Sequence, residues 1–156
     1  MEALRLEPWR PEDYSIYAAM AADGRVMAYI SGHALNDEEI RVKYDNVLEK
    51  YPHGMGHFMV YQGDRFIGYG KLTPMEDPGV GEVGYMLPPE LWGQGYGNAI
   101  AALMVAQARA IGLHTTAAVI DPANIASRRV LEKQGFTTHS PELYHSRESE
   151  WLQLVL

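Results

Sequence analysis

Residues 81–112 run GEVGYMLPPELWGQGYGNAIAALMVAQARAIG. The first seven (81–87) are a β-rich run that Pro88-Pro89 stops. From Asn98 to Gly112 the chain is rich in alanine, at 99, 101, 102, 106, 108 and 110. Alanine favours helix and allows close packing on a sheet. Between strand and helix stands Leu91-Trp92-Gly93-Gln94-Gly95-Tyr96-Gly97-Asn98, with three glycines in five residues. Such a loop turns backbone N–H groups toward one point, and the helix N-terminus adds about half a positive charge there. Together they suit an anion, most naturally phosphate or pyrophosphate. The alternative is a tight turn that holds nothing.

Upstream of this unit, residues 3–7 alternate as a short strand, and Pro11-Glu12-Asp13 starts a helix with acids at the positive end of its dipole. Asn36 followed by Glu39 is a capping arrangement. Ile40, Tyr44, Val47, Leu48 and Tyr51 then share one face of an amphipathic helix. HFMVYQ and RFIGYGKL are β-rich runs joined by Gly63-Asp64, which predicts a hairpin. Downstream, TTAAVI (115–120) reads as a buried strand. Asp121-Pro122 is expected to begin a helix that ends at Gly135-Phe136, followed by a strand or strands, the last at 150–156. Consecutive strands followed by βαβα predict a mixed α/β fold around one sheet, with a right-handed crossover from 81–87 to 115–120.

With 156 residues, no repeat and no linker, the chain is expected to form one domain over 1–156. No apolar run approaches the ~18 residues of a membrane span, and MEALRLEPWR lacks the apolar core of a secretory signal. The expected setting is cytoplasmic. Cysteine is absent, which excludes disulfides, thiolate metal sites and a cysteine nucleophile. The net charge of −7 argues against a nucleic-acid partner. It suits a cationic substrate, though mild acidity also serves solubility.

Three phosphate motifs can be tested against the letters. No GxxxxGK[ST] occurs, so the P-loop fails. The glycines at 93, 95 and 97 give GxGxG with Asn98 where the Rossmann motif needs glycine, and Ala117-Ala118 stand where its ribose-binding acid belongs. What remains is [QR]xxGxG at 92–97, with Trp92 in the Gln/Arg position. GEVGYMLPPELWGQGYGNAIAALM, with DPANIASRRVLEKQGF some thirty residues on, resembles the GNAT N-acetyltransferase superfamily. The closer similarity is to its ribosomal-protein-alanine (RimJ/RimL-type) branch, in which a WGxGY loop and an NxxSxxVLEKxGF helix recur.

The resemblance implies a central, mostly antiparallel sheet of six to seven strands flanked by about four helices, split between 81–87 and 115–120. It implies acetyl-CoA as cosubstrate, with pantetheine along the backbone of Met86 and Leu87 and pyrophosphate on the loop of Gln94, Gly95, Gly97 and Asn98. Asn124 would reach the pantetheine. A free amine would attack the thioester directly, which needs a route for the amine's proton, an oxyanion donor and an acid for the departing thiolate. A backbone N–H near Met86 is the implied oxyanion donor. Glu82 is the implied base, through a water; its bland alternative is an exposed strand residue. The family's common helix tyrosine falls on Leu131, so Ser127 becomes the candidate acid, as in the ribosomal branch. Ser127 and Asn124 also read as helix-start residues. Tyr85, Tyr96 and Tyr144 are fallback acids. Arg128 and Arg129 read as a solvated helix face and stay outside the site.

The acceptor pocket in this fold comes from about 20–36 and 137–149, including Tyr29, His33, His139 and Glu142, with Tyr29 and His33 as candidate substrate residues. The histidines (His53 and His57, His139 and His145) show no metal-ligand spacing, so no metal is expected. The expected partner is a small-molecule or peptide amine, with neither nucleic acid nor membrane; a homodimer is compatible. Two other functions stay open: a non-catalytic acyl-CoA-sensing module, and a nucleotide-binding regulatory domain resting on the glycines alone.

Overall fold

The computed structural model describes the backbone of residues 2–144 and 147–156, and side chains outside 140–148. Seven strands form one sheet in the order β1-β2-β3-β4-β5-β7-β6. They are β1 (Leu4–Pro8), β2 (Gly56–Gln62), β3 (Arg65–Pro74), β4 (Val80–Met86), β5 (Thr115–Ile120), β6 (Thr137–Tyr144) and β7 (Arg147–Val155). All neighbours pair antiparallel except β4 and β5, which are parallel and joined by a helix. The helices are α1 (Tyr14–Ala21), α2 (Gly24–Met27), α3 (Asp37–Val47), α4 (Tyr96–Ala110) and α5 (Ile125–Lys133). The mixed α/β sheet expected from sequence is therefore present, with one short helix, α2, beyond the expected four.

Local chemistry explains where these elements begin. Asn36 accepts the Glu39 N–H at 2.9 Å, and Glu39 accepts the Asn36 N–H at 3.0 Å. This reciprocal box starts α3 and turns Ile40, Tyr44 and Val47 into the core. The β2–β3 hairpin closes at Gln62↔Arg65 through Gly63, whose φ of 59° suits a tight turn.

One expectation is overturned. The last helix does not begin at Asp121-Pro122. Asp121 accepts the N–H of Ala123 through Oδ1 and that of Asn124 through its carbonyl, both at 2.9 Å, making a turn. Helix α5 starts after it, with Asn124 as the cap that accepts the Ser127 N–H at 3.1 Å. The chain end holds two strands, within the strand or strands expected there: β7 begins at Arg147 and β6 lies beside it at the sheet edge. Pro141 fits in β6 because proline lacks a ladder N–H and is tolerated at such an edge.

The sheet is covered on both faces. Helix α4 packs on one face over Ile67, Leu72 and Val83, bringing Ile100 and Met104. Gly68 makes that approach close: a Cβ there would stand 2.8 Å from the Met86 carbonyl oxygen and 2.9 Å from Ile100 Cδ1. Helices α1 to α3 cover the other face with a second cluster that includes Tyr17, Ile40, Met59 and Met86. Trp9 pins this layer, edge-on to Tyr17, Tyr44 and Phe66 at centroid distances of 5.8, 6.0 and 5.8 Å. Such pairs each add about 0.5–1.5 kcal/mol beyond area burial. Strand β4 serves both layers by alternation: Val83 and Tyr85 face α4, while Glu82 and Met86 face α1 to α3.

Candidate active site

Strands β4 and β5 pair only at Val80↔Thr115, Gly81↔Thr116 and Glu82↔Ala117. Beyond Glu82, β4 continues to Met86 against β3 alone, and β5 continues to Ile120 against β7 alone. The sheet therefore splits where the sequence placed the split. A cavity of about 360 Å³ opens there, with Tyr17, Tyr29 and Lys43 on one side and Met104, Asn124 and Ser127 on the other.

At the mouth of the split, α4 begins with Gly95 as its cap, at φ 88° and ψ 0°, with no side-chain cap and no acid in the first turn. Its first N–H groups thus lack a side-chain acceptor. Gly93 is also left-handed, at φ 74°, and a Cβ there would meet nothing within 4 Å. The loop holds its own shape: Trp92 Nε1 donates to the Leu87 carbonyl and Gln94 Nε2 to the Glu90 carbonyl, both at 3.0 Å. The Gln94 side chain is thereby engaged, leaving its backbone to serve a ligand. Gly97 lies against Tyr85, whose Cε2 would be 3.2 Å from an added Cβ. The Asn98 Oδ1 is buried without a hydrogen-bond partner. This cradle of uncapped N–H groups, with space at Gly93, fits the pyrophosphate of a CoA thioester. Met86 lines the cavity; Leu87 does not.

The floor facing α1 to α3 carries the charge. Lys71 Nζ donates to Glu82 Oε2 at 2.5 Å, with side chains 26% and 13% exposed. Beside them His57 Nδ1 lies 2.6 Å from the Tyr69 hydroxyl. Burial first, and then the Lys71 ammonium, lower the His57 pKa to about 4, so the imidazole is neutral at neutral pH. In the Nε2–H tautomer its Nδ1 accepts the Tyr69 O–H. Burial pushes the Tyr17 hydroxyl up to about 12 and the Tyr69 hydroxyl well above its ordinary value. Sequence reading singled out Glu82 here and missed Lys71, Tyr69 and the role of His57. The available signal was alternation: Tyr69 and Lys71 are two apart, and the hairpin brings His57 opposite Lys71.

On the α4 side, burial raises the Tyr85 pKa, and the neighbouring Ser127 side chain partly opposes that shift. Asn124 and Ser127 sit together on the cavity wall. Tyr96 is elsewhere, donating to Gln62 Oε1 at 2.9 Å, and the Tyr144 side chain lies outside the described residues. Tyr29 lines the cavity; His33 does not, and its Nε2 faces Glu39 Oε2 at 3.4 Å on the exposed surface. His139 lies on a second cavity, near His114 and Asp77. His145 and the Glu142 side chain lie outside the described residues. Arg128 is ion-paired with Glu150. Among the described residues no three His, Cys, Asp or Glu side chains form a metal-holding group, and no helix is long and apolar enough to cross a membrane.

The family profile of the acetyltransferase (GNAT) domain matches residues 3–137, so the chain belongs to the GNAT acetyltransferase family. It is 34% identical over 95 residues to a mycothiol acetyltransferase of Geodermatophilus obscurus, covering 56% of this chain and 30% of that protein. The chain thus spans about a third of the length of the mycothiol acetyltransferases it matches. It is 31% identical over 144 residues to YkkB of Bacillus subtilis, covering 86% of this chain and 81% of that protein. The spermidine N-acetyltransferase of Vibrio cholerae, solved with CoA and spermine, superposes with a TM-score of 0.81 at 14% identity, over 97% of this chain and 95% of that one. That last likeness is one of fold.

Proposed function

We propose that this GNAT acetyltransferase transfers the acetyl group of acetyl-CoA to a primary amine, by direct attack and within one domain over 1–156. The observation that carries this reading is the split between β4 and β5. It joins an uncapped helix N-terminus on one side to the Glu82–Lys71 pair on the other. Acetyl-CoA supplies the activated acetyl thioester. The N–H groups of Gln94 to Asn98 bind its pyrophosphate, and the β4 edge at Met86 and Leu87 takes its pantetheine as a strand-like segment. Asn124 supports the same arm.

The amine enters from the α1–α3 side, past Tyr29. Its nitrogen bonds to the acetyl carbon as the carbon–sulfur bond breaks, and one proton leaves nitrogen while one reaches sulfur. Glu82 takes the first through a water, oriented by Lys71. Ser127, beside the Tyr85 hydroxyl, gives the second and regains a proton from solvent. The paired motifs at 91–98 and 124–136 support the ribosomal-protein-alanine branch, and with it a protein N-terminus or small-molecule amine as acceptor in a cytoplasmic setting. A non-catalytic acyl-CoA sensor is the second reading. Against it stand Glu82 and Ser127, on opposite sides of one cavity.

The test is a panel of amines and N-terminal peptides with acetyl-CoA, read by free-thiol release alongside calorimetric CoA binding. Amine-dependent thiol release is the expected result. CoA binding with no release across the panel would leave the sensor.

A further inference from the structure

The acceptor side of the cavity has a local charge opposite in sign to the chain as a whole. Its α3 wall presents Lys43 and Asn46, which lie at i and i+3 and so share one face of the helix. Its sheet floor presents Lys71 and Glu82, already bound to each other at 2.5 Å. The other acid on the cavity wall, Asp121, accepts the Ala123 N–H in the turn before α5. The charged neighbour of Lys43 is Glu39, one turn back on the same helix, and Glu39 is itself engaged by Asn36 and His33. Among the described residues, then, the acceptor wall offers an ammonium and a side-chain amide. The carboxylates it holds already have partners.

Charge at contact range decides recognition here, because the distant acidic surface is screened beyond about 10 Å at ordinary ionic strength. A substrate with a second ammonium, such as a polyamine, would place it against Lys43 with no unengaged carboxylate to hold it. A substrate carboxylate would meet one ammonium and one amide N–H, a charge-assisted arrangement. We infer that the acceptor is an amino-carboxylate of the amino-acid type, bound with its amine toward Glu82 and its carboxylate on Lys43 and Asn46. The inference rests on the acetyl-transfer reading and narrows its substrate class.

The experiment compares an amino acid, its carboxamide, the corresponding simple amine and spermidine, each with acetyl-CoA and the full chain. Thiol release should favour the amino acid over its carboxamide by roughly five- to tenfold in kcat/KM, the range of one partly exposed charge-assisted contact. In Lys43→Met that ratio should collapse toward one, and in Lys43→Glu it should invert. Calorimetry of the amino acid against CoA-saturated protein should show the same loss of affinity in Lys43→Met. A wild-type preference for the carboxamide or spermidine, or a ratio unmoved by Lys43→Met, overturns this inference alone. Turnover of no amine by protein that binds CoA overturns both it and the acetyl-transfer reading.

Discussion

Gly93 and Gly112 form a matched pair for asking whether the loop at 91–98 holds a ligand. Both are left-handed, at φ 74° and 85°, and in both a Cβ would meet nothing within 4 Å. Alanine at either position is therefore penalised by conformation alone, by about 1–2 kcal/mol for an L-residue forced into that region. For a chain of this size, 1 kcal/mol moves the melting temperature by roughly 2–4 °C. Gly93→Ala and Gly112→Ala should each lower it by about 2–8 °C. They differ in place, since Gly93 precedes the first turn of α4 and Gly112 follows its last. If the N–H groups of the loop carry pyrophosphate, only Gly93→Ala gives the strain a route to relief by re-aiming them. Recovering the bound shape then costs the same 1–2 kcal/mol, a loss of about 5- to 30-fold in CoA affinity. Thermal melts and calorimetric titration with CoA read the two effects separately. Equal CoA affinities in the two variants, with both melts lowered, would refute the placement of the pyrophosphate.

Other expectations follow from the floor and the α5 wall. Glu82→Gln should lower turnover by about 10²-fold or more, the range of a general base, with CoA affinity little changed; unchanged turnover removes Glu82 from the mechanism. Ser127→Ala and Tyr85→Phe should be non-additive in kcat because the two side chains are neighbours on the same proton route, and additive losses would separate them. His57 has a folded pKa of about 4, below its unfolded value near 6.5. The unfolded chain thus binds the extra proton first, so the stabilising contribution is full above about pH 6.5 and is lost as pH falls toward 4. His57→Gln should flatten stability across that window in denaturant titrations; an unaltered slope would show that His57 is not buried neutral. Asn124→Ala removes the cap of α5 and should cost about 1 kcal/mol in the same titrations.

Much of the fold was legible because local chemistry dictated it. The Asn36–Glu39 box, the Gly63-Asp64 turn and the glycine loop before an alanine-rich helix each act within a few residues. The strand at 81–87 and the helix after Pro122 were legible in the same way, while the choice of Glu82, Asn124 and Ser127 on them came from the family resemblance. The misses have a common cause in long-range context. The turn at Asp121 takes over the helix start because its side chain competes for the backbone N–H. Lys71 and His57 belong to the floor only through the β2–β3–β4 register, and the neutrality of His57 comes from burial. His33, chosen from its neighbourhood in sequence, faces Glu39 across a capping loop and stands apart from the cavity.

The most direct measurement is a crystal structure of the chain grown with CoA. The expected result has pyrophosphate oxygens within hydrogen-bond distance of the backbone N–H groups of residues 93–98. The pantetheine should run beside Met86 and Leu87, with its sulfur in the split between Glu82 and Ser127. CoA bound away from that split, or the split closed with β4 and β5 paired beyond Glu82, would contradict it.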